Sequence, residues 1–432
     1  MIRSLLAVAA SAVAAALAVT APASAAPLIP QPVGPTENPP SPAVCLRPTT
    51  RPDIAKIMLT PEQESQQTWP EGRLRYPDIW RYSQGAGVVV AVVDSGVDAH
   101  HEQLTGRVRA GYDVTAGSAV TVGADTDCRA HGTAVAGIIA ARPVAGRAFA
   151  GMAPAATILP IRQTWGVDGR GQISPGSTAN LIRAINLAVA AGAPIVNVSV
   201  VVDARVLPAA ERAQLVAAVR NAAAHDVLIV AASDNRAEGG GQQDAATPYP
   251  AALASQYDNV IAVGGMDHTG AIDQATTTRD FVSVVAPDTG MPCPMPGGGL
   301  VQCRGTSFAT PFVSGLAAVL LARDRRLTAA QLKRRIELTA DHPPTELPDT
   351  VGGYGYGAIN PIAALTELLP AVPSAASAAP GNGPLPAPHG SDRRSRVIAF
   401  GAAGGATVLV LGVVLGAAVV PRGRRRRWAP GG

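Results

Sequence analysis

The sequence predicts an α/β fold: a mostly parallel sheet covered by helices on both faces, with a signal peptide before it and one C-terminal transmembrane helix after it. Three observations carry this. Val88 to Val93 is an unbroken apolar run, as a strand buried on both faces requires. From about Gly85 to Leu369, runs of that kind alternate with stretches of helical apolar spacing. Near the C-terminus, Val397 to Val420 is 24 residues without a charge, long enough to cross a hydrocarbon core of roughly 30 Å.

The elements follow in order along the 432 residues. Arg3 precedes an uncharged Leu/Ala/Val run from Leu5 to Val19, then Ala23-Ser24-Ala25, a small-x-small cleavage pattern. Residues 1–25 therefore read as a signal peptide, with an uncleaved anchor as the rival. Residues 26–68 are rich in proline, with little periodicity before Ile54 to Leu59. They are expected to wrap the body as an extension. A folded inhibitory pro-domain is the alternative, but the arm is short and proline-rich for a sheet of its own.

Residues 69–369 form the body. After Val88 to Val93, the expected strands are Thr157 to Ile161, Ile195 to Val200, Val227 to Ala232 and Val260 to Val263. Expected helices span Ser177 to Ala191, Pro208 to His225 (with Pro near its start), Ser307 to Leu321 and Thr328 to Thr339. Residues 370–392 hold six prolines among Ala, Gly and Ser and cannot build a core. As a wholly polyproline tether they would reach roughly 70 Å, less with Gly and Ala. Residues 397–420 are the transmembrane helix and 421–432 a basic tail, whose arginine run favours a cytoplasmic C-terminus and an extracytoplasmic body.

Charge excludes one class of partner. The net +4 includes eight arginines and one aspartate between Asp392 and Arg427; without these and Arg3 the body carries −4. The basicity fits membrane topology and anionic lipid, with no nucleic acid implied. Four cysteines, Cys45, Cys128, Cys293 and Cys303, face an oxidising compartment. Three pairings are possible. The small Pro/Gly-rich loop between Cys293 and Cys303 favours that pair, which leaves Cys45 for Cys128. Zinc is disfavoured, since no CxxC or HxxxH spacing occurs.

Acyl transfer by serine needs a hydroxyl, a base, a carboxylate to orient the base, and donors for the oxyanion. Asp94 ends the first strand, where ligand crevices form, although an Asp there is often a turn residue. His131 opens His131-Gly132-Thr133-Ala134, where small residues let a helix start tightly against a sheet. His100 and His101 read as loop residues. Ser307 lies in Gly305-Thr306-Ser307-Phe308-Ala309-Thr310-Pro311 at a helix start, where free N–H groups favour negative charge; a plain N-cap is the bland reading. Asn235 closes a strand and can aim its amide at an oxyanion, though Asn is also common in turns.

Together these motifs, in the order Asp, His, Ser, closely resemble the three active-site motifs of the subtilase family of serine proteases, with Asn235 at the position of that family's oxyanion asparagine. The resemblance covers roughly Trp69 to Leu369, including Tyr249-Pro250-Ala251 and Gly353-Tyr354-Gly355. It implies a subtilisin-like fold and a serine endopeptidase with Asp94, His131 and Ser307 as its triad, and with Asn235 and the Ser307 N–H as its oxyanion hole.

The leader, proline-rich extension, linker, single helix, Ala134 and Phe308 are similar to the mycosin subgroup, membrane-anchored subtilases of type VII secretion systems. That implies selected secreted proteins as substrates and the secretion membrane complex as a partner. A structural role in that complex is the competing reading. No cofactor or metal is implied: many subtilases bind calcium, but no contiguous acidic loop occurs, and Asp125 and Asp127 read as solvated loop charges. Two departures bear on specificity. Asp234 stands where the family commonly has glycine. Val200-Val201-Val202 follow Ser199 where glycines usually floor the substrate cleft, so Ser199, Val200 and Val201 are expected to line a narrowed pocket.

Overall fold

The computed structural model describes residues 55–115, 120–165, 176–235, 247–273, 276, 279–343 and 353–369. The expected signal peptide, the proline-rich segment up to 54, the linker, the transmembrane helix and the basic tail lie outside these residues.

The strands, in chain order, are β1 (Val89–Asp94), β2 (Tyr112–Asp113), β3 (Thr121–Val122), β4 (Thr157–Arg162), β5 (Ile195–Val198), β6 (Val202–Asp203), β7 (Leu228–Ala232), β8 (Pro248–Tyr249), β9 (Val260–Met266), β10 (Val284–Pro287), β11 (Met291–Pro294) and β12 (Leu300–Cys303). The main sheet runs β10-β9-β7-β5-β1-β4-β2-β3, all parallel except the last pair. β11 pairs with β12, and β6 with β8, as separate antiparallel ribbons.

The helices are α1 (Pro61–Glu64), α2 (Trp69–Leu74), α3 (Tyr76–Trp80), α4 (His131–Ala140), α5 (Thr178–Ala190), α6 (Ala209–Ala224), α7 (Thr306–Arg323), α8 (Ala329–Leu338) and α9 (Pro361–Thr366). The four helices expected in the body are all present, with ends shifted by one or two residues. Pro208 takes the N-cap of α6 rather than its first turn.

Period-two geometry explains the two apolar layers. Val90 and Val92 of β1 face the layer that holds α4, α7 and α8, whereas Ala91 and Val93 face α5 and α6. A strand covered twice has no solvent face to mark, so its sequence is a plain apolar run. α7 is long and apolar enough to cross a membrane, but it is largely buried in this core.

The described part of the N-terminal arm wraps the body. Thr60 and Thr68 each accept a hydrogen bond from the third residue of their helix, while Gln63 and Glu71 reach back to the cap N–H. These capping boxes start α1 and α2 despite the surrounding prolines, which sit in the first turn where an N–H is not needed. Leu59 N–H donates to the Leu300 carbonyl at 2.8 Å, laying the arm along the β11–β12 ribbon. Beside it, the buried Glu64 carboxylate accepts from Leu300 N–H at 3.1 Å and pairs with Arg147 at 2.8 Å. Leu74, Tyr76 and Ile79 then enter the α7-side core.

Cys293 and Cys303 form a disulfide across that ribbon, with Cα atoms 6.0 Å apart. Cys128 is also disulfide-bonded; Cys45, its expected partner, lies outside the described residues.

Truncating Glu64 removes one member of a buried ion pair and the acceptor for Leu300 N–H. Glu64→Ala is therefore expected to lower unfolding free energy by roughly 3 kcal/mol, measured by denaturant melting.

Candidate active site

Asp94 is the last residue of β1 and is fully buried. Its carboxylate receives the Ser95 N–H at 2.7 Å and faces His131 Nδ1, with both oxygens within 2.9 Å. A carboxylate so placed selects the tautomer with its proton on Nδ1 and leaves Nε2 as the base. Burial alone would press the imidazole pKa down, but the Asp94 charge and hydrogen bond, with Asp127 behind them, bring it above its ordinary value.

His131 begins α4, and the start of that helix is held from outside. Its N-cap is Ala130, in a left-handed conformation with no side chain able to cap. Gly132 N–H instead donates to Ser95 Oγ at 3.1 Å, and Thr133 N–H to Asp127 Oδ2 at 3.0 Å. A Cβ on Gly132 would collide with the Gly96 carbonyl, so only glycine lets the helix start this close to the strand end.

The expectation for Asp127 is corrected here. It is 1% exposed, not a solvated loop charge, and its carboxylate also accepts from Ser95 Oγ, Arg129 N–H and Thr133 Oγ. Burial raises its pKa, against these hydrogen bonds. An anion bonded to the Thr133 N–H in the first turn of α4 is favoured by the helix dipole as well. Sequence could flag Asp127 only through its position four residues before His131. His101, expected in a loop, does lie in a turn, but it is buried, and burial lowers its pKa.

Ser307 lies in the first turn of α7, behind the N-cap Gly305. Pro311, four residues on, has no N–H to give the Ser307 carbonyl. That carbonyl accepts from Ser199 Oγ at 2.7 Å, and Ser307 Oγ in turn donates to the Ser199 carbonyl at 3.0 Å. The exchange ties the head of α7 to the residue just past β5. Asn197 supports it from within the strand: its amide donates to Ser199 Oγ at 2.9 Å, and its oxygen accepts from Ser314 at 2.8 Å. The Phe308 ring lies 5.1 Å from the His131 ring, bringing the neighbour of Ser307 against the imidazole.

Asn235 follows β7, bridged to Thr276, and its Oδ1 accepts from Thr306 N–H at 2.9 Å and from Thr306 Oγ at 3.1 Å. With the oxygen engaged, the amide nitrogen is the end left to donate. Asp234, where glycine was the expected family residue, has φ of 100°. That region favours glycine; Asp234 occupies it with its carboxylate accepting the Asn235 N–H at 2.8 Å, while burial raises its pKa. Ser199 and Val200 are buried, Val200 within the α5–α6 core, whereas Val201 keeps part of its surface exposed.

The structure thus gathers Asp94, His131, Ser199, Asn235 and Ser307 along one edge of the sheet. A carboxylate, an imidazole, a serine at a helix start and an amide donor are the set that acyl transfer requires.

Residues 85–357 match the Subtilase family, Peptidase_S8. The chain is 33% identical to mycosin-4 of Mycobacterium tuberculosis over 80% of this chain and 79% of that protein. It superposes on MycP1 from the ESX-1 type VII secretion system with a TM-score of 0.61 at 27% identity, covering 77% of this chain and 91% of the other. A chain in the intact ESX-5 inner membrane complex gives 0.61 at 29% identity, with 84% and 93% covered.

The Asp127 charge helps to hold the His131 pKa up, so Asp127→Asn is expected to move the His131 midpoint to lower pH, read by NMR titration of the imidazole.

Proposed function

The chain belongs to the subtilase family and is a mycosin-like serine endopeptidase, and from that premise we propose that it cleaves selected secreted proteins by an Asp94–His131–Ser307 mechanism on the extracytoplasmic side of a membrane. The observation that carries this reading is the buried Asp94 carboxylate holding His131 Nδ1, with Ser307 at the helix start next to the Phe308 contact.

In the reaction, His131 Nε2 takes the Ser307 proton as Oγ adds to the scissile carbonyl. For this the Ser307 hydroxyl turns from the Ser199 carbonyl toward the imidazole, a rotamer step that substrate binding can drive. Asn235 Nδ2 and the Ser307 N–H receive the oxyanion. The proton passes from His131 to the leaving amine, and water, deprotonated by the same base, releases the acyl group. Ser199 and Val201 floor the cleft, with Val201 as the side chain that narrows it, which favours small residues before the scissile bond; Val200, expected beside them, turns its side chain into the α5–α6 core instead.

Type VII secretion supplies the setting, supported by the likeness to MycP1 of ESX-1 and to the ESX-5 inner membrane complex. In this reading, residues 1–25 direct export, 26–68 wrap the protease and 370–392 tether it. Residues 397–420 cross the membrane and 421–432 lie in the cytoplasm. The likeness to a chain within a membrane complex favours a second role, stabilising that complex. Comparing complex assembly in Ser307→Ala with assembly after deletion of the whole chain separates the two roles.

Ser307→Ala is expected to abolish both peptidase activity and labelling by a fluorophosphonate. Asn235→Ala is expected to lower turnover on the order of a hundredfold to a thousandfold, the magnitude known for such a donor in subtilisin. Peptide libraries are expected to show cleavage after small residues; efficient cleavage after Phe or Tyr would exclude the narrowed pocket.

A further inference from the structure

One carbonyl in α7 takes its donor from outside the helix. A carbonyl near the start of an α-helix ordinarily accepts the N–H four residues on; four residues beyond Ser307 stands Pro311, which has no N–H. Ser199 Oγ supplies the donor, at 2.7 Å. Behind it run two more bonds: Asn197 Nδ2 donates to Ser199 Oγ at 2.9 Å, and Ser314 Oγ donates to Asn197 Oδ1 at 2.8 Å. All three bonds point the same way, from Ser314 through Asn197 and Ser199 to the Ser307 carbonyl, so each group holds the next in a single orientation.

The chain of donors is placed where polar groups are hardest to accommodate. Asn197, Ser199 and Ser314 are 0%, 3% and 0% exposed. Asn197 lies in the middle of the sheet, paired with Val92 of β1 on one side and Val230 of β7 on the other. A buried amide is tolerated there when its bonds are made. A serine inside a helix commonly bonds the carbonyl one turn back; Ser314 reaches across to β5 instead.

The segments on either side of Ser307 are held by other contacts. Gly305 N–H donates to the Asp288 carbonyl at 2.8 Å and Thr306 N–H to Asn235 Oδ1 at 2.9 Å, while the Asp288 carboxyl fills the place that a side chain at Gly265 of β9 would need. Further along α7, a Cβ on Gly315 would collide with Met152, so the helix is seated closely there. Between these anchors, the direction of the Ser307 carbonyl sets the turn about its Cα–C bond, and so how the hydroxyl-bearing side chain stands against the helix that follows.

We propose that Asn197, acting through Ser199 Oγ, is a positioning residue for Ser307: the buried donor chain stands in for the N–H that Pro311 lacks and holds Ser307 in the conformation from which it reacts. This rests on Ser307 being the nucleophile. On this account the Ser199 hydroxyl is needed because residue 311 is a proline.

The test is a double-mutant cycle in the full-length protein. Ser199→Ala is expected to lower kcat on a peptide substrate on the order of tenfold, with KM changed by less than about twofold. Pro311→Ala returns an N–H to the Ser307 carbonyl, so in that background the same Ser199→Ala step is expected to cost less than about twofold. Equal losses in both backgrounds would overturn the proposal, because a general disturbance of packing does not depend on an N–H at 311. Asn197→Leu, which keeps the volume and loses the amide, is expected to lower kcat in the same way and to add less than about twofold to Ser199→Ala; losses that multiply would show that Asn197 does not act through Ser199.

Thermal melting repeats the cycle without catalysis. The fall in Tm caused by Ser199→Ala is expected to be smaller in the Pro311→Ala background than in the wild type, and equal falls would count against the donor chain. Should Ser199→Ala not fold, recovery of folded protein on adding Pro311→Ala supports the proposal and failure to recover overturns it. Peptidase activity surviving in Ser307→Ala would instead sink the nucleophile assignment and leave the melting cycle to judge the donor chain.

Discussion

Parallel hydrogen bonding between β1, β5 and β7 is the constraint on which the site depends. Val93 is paired with Val198, and Val198 with Ala231, so three neighbouring strands end together. Asp94, Ser199 and Asn235 are the residues at or just beyond those ends. Parallel strands must all deliver their C-termini to one edge. Residues more than a hundred positions apart therefore meet there without dedicated contacts to bring them together. α4 and α7 then rise from that edge, with His131 and Ser307 in their first turns. What remains for local chemistry is fine placement: Ser95 and Asp127 complete the head of α4, and the missing Pro311 N–H turns the Ser307 carbonyl toward Ser199.

Much of this was legible in the sequence, and for physical reasons. A doubly covered parallel strand is apolar throughout, so β1 and its neighbours announce themselves. Asp94, His131 and Ser307 are legible because each sits in a short segment whose small neighbours serve close packing at a strand or helix end. Asn235 is legible from its place after an apolar strand, a weak signal, and from its likeness to a family position.

Other features depend on distant partners and leave no local pattern. Asp127 reads as an ordinary loop aspartate until Ser95 and Thr133 are seen around it, and Asp288 reads as a strand-end residue until its buried carboxyl is seen to accept from Thr276 Oγ and to fill the place of a side chain at Gly265. The capping boxes at Thr60 and Thr68 were present in the sequence, but the prolines around them suggested extended chain. Val200 continues an apolar run, and nothing local says that its side chain turns into the core while Val201 does not.

Covalent and ionic ties adjoin the segments that lead to His131 and Ser307. Cys128 is adjacent to Asp127, and Cys303 to Arg304, so these two of the three described cysteines adjoin polar groups near His131 or on the approach to Ser307. The arm lies along the ribbon closed by Cys293 and Cys303 and is bound there by Leu59 and Glu64. Its attachment and the rigidity of the segment leading to Ser307 therefore share one piece of structure.

The close fit of Gly265 to Asp288 has a consequence for how this chain can change over generations. A side chain at 265 is sterically blocked for as long as the carboxyl occupies its place. Thr276 Oγ would lie 2.6 Å from the same Cβ, so a methyl group at 265 needs room from both Asp288 and Thr276. A side chain at 265 therefore becomes accessible only after two neighbours have given way, so a lineage reaches that alternative only through intermediates with a hole beneath the loop that leads to Ser307.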